Sequence, residues 1–210
     1  MTLPGHQFAL GARTLAINLE RRRWLERNPP KTRIDVNTAA AFLTYLRDGN
    51  HRHTARTVVG QPGWETPQLG SPIFRLVANP NWTVPKSIEE DELANVSAAY
   101  LRSNNMVRRD GWIVQLPGPD NALGEVKFDM QNDHAIYLHD TPAKSLFERS
   151  FRAFSHGCIR LERPMELALY LLRDQPQWTQ AAIESDIAAG RERAIRLTSP
   201  RPVYVLYWTA

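Results

Sequence analysis

Short runs of alternating apolar and polar residues, each cut off by proline, glycine or an Asn/Asp turn, constrain this chain more than any other feature. Val126, Phe128 and Met130 alternate with Lys127 and Asp129, Ile34 and Val36 alternate with polar neighbours, and residues 203–208 are rich in β-branched and aromatic types. A period of two marks a strand with one buried face. Fifteen prolines and eleven glycines spread over 210 residues deny the chain the long uninterrupted helices of a bundle.

Further strands follow from the same reasoning. Residues 42–46 read as extended, Asp48-Gly49 as a hairpin turn, and residues 57–60 as the returning strand. Residues 74–78 and 134–139 add two more, the second with Ile136 and Leu138 on one face and Tyr137 and His139 on the other. Helical spacing covers residues 15–25, stopped by Asn28-Pro29-Pro30, and the stretch 88–101, with Leu93, Val96 and Tyr100 on one side. Pro164 opens a helix over 164–172, and Gly190 closes another over 179–189. Sequential hairpins without a βαβ rhythm or internal repeat predict a mainly β, largely antiparallel domain with peripheral helices.

Charge excludes some functions. The net charge is +4 and the isoelectric point about 9.5. The basic runs Arg21-Arg22-Arg23 and Arg108-Arg109 are nevertheless separated by Glu89-Glu90-Asp91-Glu92. Without a basic stripe interleaved with aromatics, no nucleic-acid partner is expected. No apolar run approaches the roughly 18–20 residues that span a bilayer. The first residues lack the basic and apolar blocks of a signal peptide. Read alone, that expects a cytoplasmic chain or a fragment separated from its leader.

The chain has a single cysteine, Cys158, so no intrachain disulfide can form. The residue is an apolar filler, a metal ligand or a reactive thiol, and its neighbours favour the last. A free thiol is only a few per cent ionised at neutral pH and needs a base, for which imidazole is best suited. His156 lies two residues before it, on the same face if the segment is extended. His139 lies nineteen residues before it, where a loop can return it to the sulfur. Gly157 permits close approach of backbone to substrate, leaving its amide and that of Cys158 to face an oxyanion. Arg160 has the planar fork that grips carboxylates, although Glu162 offers it an ion pair instead. Asp140 can orient His139 through its carbonyl or its carboxylate.

Ser155-His-Gly-Cys158-Ile-Arg160, with His139 upstream, resembles the signature of L,D-transpeptidases with a YkuD-type catalytic domain. Further blocks resemble the larger YcbB-like branch: Val58-Val59-Gly60 with Glu65-Thr66-Pro67, Asn79-Pro80-Asn-Trp82-Thr-Val84-Pro85, and Pro117-Gly118-Pro119-Asp-Asn121-Ala-Leu-Gly124. Lys127-Phe128, Tyr137-Leu-His-Asp-Thr-Pro142 and the terminal Tyr207-Trp208-Thr-Ala fit as well. The resemblance spans roughly residues 33–210. It implies a YkuD-like β-sandwich over residues 32–210, preceded by a helical segment at 1–31 that would be a remnant of an upstream scaffold. A short lid-like insertion at about 86–116 would replace the longer cap of relatives.

The resemblance also implies the chemistry. Cys158 would attack the carbonyl between diaminopimelate and terminal D-alanine of a peptidoglycan tetrapeptide stem. D-alanine leaves, and the side-chain amine of another stem resolves the thioester. His139 would be the base, Asp140 and His156 supporting residues, Gly157 and Cys158 the oxyanion donors, and Arg160, Ser155 and Tyr137 the substrate side. Stem peptides and carbapenems are the expected partners, with no metal or organic cofactor, in the periplasm or cell-wall space. Rival readings keep the acyl-enzyme but change the acceptor, giving an L,D-carboxypeptidase or a protein-to-peptidoglycan ligase. Others make His139, His156 and Cys158 zinc ligands, or leave a silent wall-binding module.

Overall fold

The computed structural model describes residues 4–23 and 27–209. Among these, the first strands are β1 (Arg33–Asn37), β2 (Phe42–Arg47), β3 (Asn50–Gly60) and β4 (Leu69–Ala78). Three short strands, β5 (Trp82–Thr83), β6 (Met106–Arg109) and β7 (Trp112–Gln115), stand apart from them. The body is completed by β8 (Val126–Met130), β9 (Leu138–His139), β10 (Ala153–Ser155), β11 (Ile159–Leu161) and β12 (Arg193–Leu206). The helices are α1 (Pro4–Arg23), α2 (Lys86–Glu92), α3 (Ala98–Ser103), α4 (Pro164–Leu171) and α5 (Gln180–Ala188).

The main sheet runs β10-β3-β11-β9-β8-β4-β12-β1-β2, and β2 also pairs with β3, which closes the sheet on itself. Most neighbours are antiparallel, while β1 with β12, β10 with β3 and β11 with β9 are parallel. Asp48 and Gly49 both have positive φ (54° and 79°), the geometry of the tight hairpin turn that Asp-Gly favours. That turn sets Arg47 against Asn50 at the head of the β2–β3 hairpin.

Alternation sorts side chains between the two faces. Phe128, Leu138, Ile159 and Leu161 point inward and are fully buried, in one core with Ile34, Leu43, Ile73 and Val203. Leu167, Ala168 and Leu171 of α4 and Ile183 of α5 pack into the same core. Each such aliphatic or aromatic side chain contributes about 1.5–3 kcal/mol by leaving water. A register slip that everted this row is therefore strongly disfavoured. Pro164 stands in the first turn of α4 and Thr179 caps α5 through Ala182 N, as their sequences predict.

Four sequence expectations change. The stretch 134–139 is mostly loop, with only Leu138–His139 in a strand. The Asn132 carboxamide accepts from His134 N and Ile136 N and donates to Ile136 O, and Ala135 turns left-handed at φ 54°. A side chain thereby takes the bonds a ladder would have used. The helix expected over 88–101 is two, because Ser97 accepts from Tyr100 N and starts α3 afresh. The strand expected at 74–78 begins earlier, at Leu69, and tolerates Pro72 opposite Pro202 beside an irregularity in the β4–β12 register. The first helix is longer than expected, from Pro4 to Arg23, and Trp24 and Leu25 lie outside the described residues.

Residues 82–116 form a cap with a small core of its own, built from Val84, Ile88, Leu93, Leu101, Met106 and Ile113. The sheet β5-β7-β6 backs this core. Two buried amides secure its root. Asn121 Nδ2 donates to Pro80 O at 3.1 Å and Leu116 O at 3.0 Å, and Gln115 donates to Asn104 O at 3.2 Å and accepts from Ala122 N at 2.9 Å. Paired in this way, they join cap to body without an orphaned polar group. No helix among the described residues is long and apolar enough to cross a membrane.

Candidate active site

Register decides what meets on the outer face. In the parallel β9–β11 pair His139 stands opposite Arg160, and in the antiparallel β8–β9 pair it stands opposite Lys127. Lys127, His139 and Arg160 thus form one cross-strand row. Tyr137 and Cys158, just before β9 and β11, line the same cleft as that row. Together they floor a cleft of about 960 Å³ between the sheet and the cap.

His139 is buried, and its Nδ1 lies 2.5 Å from the backbone carbonyl of Asp140. A carbonyl only accepts, so Nδ1 carries the proton and Nε2 is left with its lone pair. The carbonyl, not the carboxylate, orients the ring. The Asp140 carboxylate instead accepts from Glu125 N at 3.0 Å and from the Lys144 ammonium. It packs so closely on Gly124 that a Cβ there would overlap it. Burial, then the Arg160 cation, push the His139 pKa down to about 3 against the opposing effect of the carbonyl. The imidazole is therefore neutral at physiological pH.

The Cys158 sulfur lies 3.8 Å from Ala135 O, and the Tyr137 side chain hydrogen-bonds to it. Burial raises the thiol pKa, while Tyr137, Lys127 and Arg160 pull it back. Burial also raises the Tyr137 phenol, whose ring lies under the Lys127 ammonium at 4.3 Å. Thiol and phenol are both protonated at rest. His139 lines the same cleft, on the strand paired with the one that follows Cys158, with an unprotonated nitrogen available.

Arg160 lines the cleft with a buried Nε that has no hydrogen-bond partner. The alternative pairing with Glu162 is not formed, because Glu162 binds Arg56 at 2.8 Å. The loop before Cys158 is clipped from inside. Ser155 Oγ donates to Cys158 O at 2.5 Å and accepts from Gly157 N at 3.3 Å. Thr66 Oγ1 donates to Gly157 O at 2.7 Å while accepting from Gly60 N at 2.9 Å. The expectation of a free Gly157 amide is corrected by this bond within the loop.

Gly157 adopts φ 102°, a bend that ordinary side chains resist. The segment is therefore not extended, yet His156 still lines the same cleft as Cys158. Its Nε2 lies 3.1 Å from the Glu92 carboxylate of the cap, and its ring meets Trp64 edge-on at 5.1 Å. Among the described residues no group of three His, Cys, Asp or Glu side chains is placed to hold a metal ion.

The cleft residues with no role assigned from sequence include Lys127, Glu92 and Trp64. For Lys127 the signal was present, since Val126 and Phe128 face the core and leave Lys127 on the opposite face. Glu92 and Trp64 arrive through loop and cap packing that no local pattern encodes.

The family model for the YkuD L,D-transpeptidase catalytic domain matches residues 31–183. A Haemophilus influenzae protein carrying an L,D-transpeptidase name is 33% identical over 200 residues, covering 84% of this chain and 41% of the relative. The chain thus spans about two fifths of that relative's length. Among solved structures, L,D-transpeptidase 3 from Mycobacterium tuberculosis has a TM-score of 0.45 at 14% identity, covering 84% of this chain and 61% of that one. The Enterococcus faecium catalytic domain acylated by ertapenem has a TM-score of 0.42 at 13% identity, covering 85% and 99%. Both structural likenesses are weak, and membership rests on the sequence match. By that match the chain belongs to the YkuD family, that of the L,D-transpeptidase catalytic domain.

Proposed function

We propose that this chain is a peptidoglycan L,D-transpeptidase acting through a Cys158 thioester. One observation carries the reading: the chain's sole thiol and a neutral, carbonyl-oriented imidazole line one cleft. His139 Nε2 takes the thiol proton as sulfur attacks the carbonyl between the third residue and the terminal D-alanine of a tetrapeptide stem. The oxyanion is met by the Cys158 amide and the Tyr137 hydroxyl. The C–N bond breaks, and the imidazolium returns its proton to the departing amine. Buried, and flanked by Arg160 and Lys127, that imidazolium is a strong acid and gives up its proton readily.

Arg160 receives the donor's carboxylate on its guanidinium, whose buried Nε has no hydrogen-bond partner within the protein. Ser155 and Asp140 hold the loop and the imidazole in place, and His156 joins the floor to the cap. A second stem's amine then displaces the sulfur, forming the cross-link. Its substrate places the protein in the periplasm or cell-wall space, and carbapenems would acylate the same thiol. The larger YcbB-like branch is part of the proposal, carried by the motif blocks between Val58 and Pro142.

Incubation with purified disaccharide tetrapeptide tests the reading by product mass. Dimer with released D-alanine is expected. Tripeptide alone would make the chain a carboxypeptidase, and neither product would end the acyl-transfer reading.

A further inference from the structure

The charges around the cleft are sorted by side. Its floor carries the cations Lys127 and Arg160, while Glu92 on the cap is the sole carboxylate among the described residues lining it. Glu92 is the last residue of α2, where a negative charge adds to the negative end of the helix dipole and weakens the helix. Local helix stability therefore does not explain an anion there. Its carboxylate contacts His156 Nε2 at 3.1 Å, two residues from the nucleophile, yet its side chain stays 53% exposed. Room remains for a second cationic partner.

The two substrates of a transfer reaction differ in the charge of the group that the site must hold. The donor stem brings a carboxylate, and the acceptor brings a primary amine that is protonated in water. Resting on the acyl-transfer reading, we propose that Glu92 is the acceptor-recognition residue, seating the incoming ammonium on the cap side of the cleft opposite the floor that holds the donor. The ammonium releases one proton to solvent. Its lone pair forms the C–N bond as the thioester C–S bond breaks, and the second proton reaches the Cys158 sulfur through His139. Opposite charges on the two walls thus suppress a donor entering in the acceptor's place, since its carboxylate would meet Glu92.

The test is the dimer-to-tripeptide ratio formed from disaccharide tetrapeptide by the 210-residue chain, with carbapenem adduct mass confirming a folded, reactive site. Glu92→Gln keeps an acceptor oxygen for His156 and removes the charge. It should raise the acceptor KM and lower the ratio roughly tenfold, as loss of one close charge pair worth about 1.4 kcal/mol would. Glu92→Lys should lower it further. A Glu92→Gln ratio within twofold of wild type, or equal losses in both variants, would overturn the proposal while dimer formation by wild type upheld the acyl-transfer reading. A wild-type chain that releases no D-alanine would overturn that reading and this inference with it.

Discussion

His139 and Arg160 stand opposite one another on the parallel strands β9 and β11, so a guanidinium is fixed beside the imidazole. Burial and that cation hold His139 near pKa 3. The base is lost only when the ring gains a proton, which happens below about that pH. Burial meanwhile keeps the thiol protonated beyond its ordinary range. The acylation rate with a carbapenem should therefore be flat within about twofold between pH 5 and pH 8, and fall only in stronger acid. A limb with an apparent pKa near that of free imidazole, about 6.5, would contradict the buried, cation-flanked histidine.

Replacing Arg160 with methionine separates its two effects. Substrates that bear a carboxylate lose their anchor, so kcat/KM for tetrapeptide should drop roughly 10–100-fold, the range of a charge-assisted hydrogen bond worth about 1.5–3 kcal/mol. The imidazole, freed of its neighbouring cation, becomes more basic. The thiol, whose pKa Arg160 also lowers, becomes less acidic, so alkylation of Cys158 by the uncharged reagent iodoacetamide should change far less than tetrapeptide turnover. Equal losses with both reagents would mean that Arg160 serves only the fold.

Cys158→Ala should abolish the carbapenem adduct in intact-protein mass while leaving the circular dichroism spectrum in place. His139→Ala should slow acylation by roughly two to four decades, the usual range for a positioned base. Acylation within a factor of two of wild type in the histidine variant would remove His139 from the mechanism.

Gly124→Ala probes the support behind the base. The new Cβ would lie within 2.6 Å of the Asp140 side chain, at a backbone φ of 59°. Asp140 must shift, and its carbonyl is what holds His139 Nδ1. Stability should fall by about 1–3 kcal/mol, seen as a lower urea midpoint. Single-turnover acylation of the folded fraction should slow at least fivefold; an unaltered rate would show that the carbonyl can move without consequence for the ring.

Much of the architecture was legible because strand periodicity and turn chemistry act locally. Val126-Lys-Phe-Asp-Met shows both faces of β8, and Asp48-Gly49 marks its hairpin. That Cys158, His139 and Arg160 would meet in one cleft was legible because few residue types suit the chemistry their pattern suggests. Three features were hidden for one physical reason: long-range or side-chain bonds override the local pattern. Asn132 dissolves most of the strand before His139, Ser97 splits a helix in two, and Ser155 occupies the Gly157 amide. Glu92 reaches the cleft only because the cap folds as a unit over its own small core.

The pairing of β9 with β11 also ties competence to register. Those two strands are only two and three residues long, yet a shift of one position would turn His139 into the oily interior and push Leu138 out in its stead. Under the proposed mechanism a misaligned molecule would lose its base and acylate decades more slowly, as the histidine variant should. Counting thiols that react rapidly with a carbapenem would then count correctly assembled molecules, one by one.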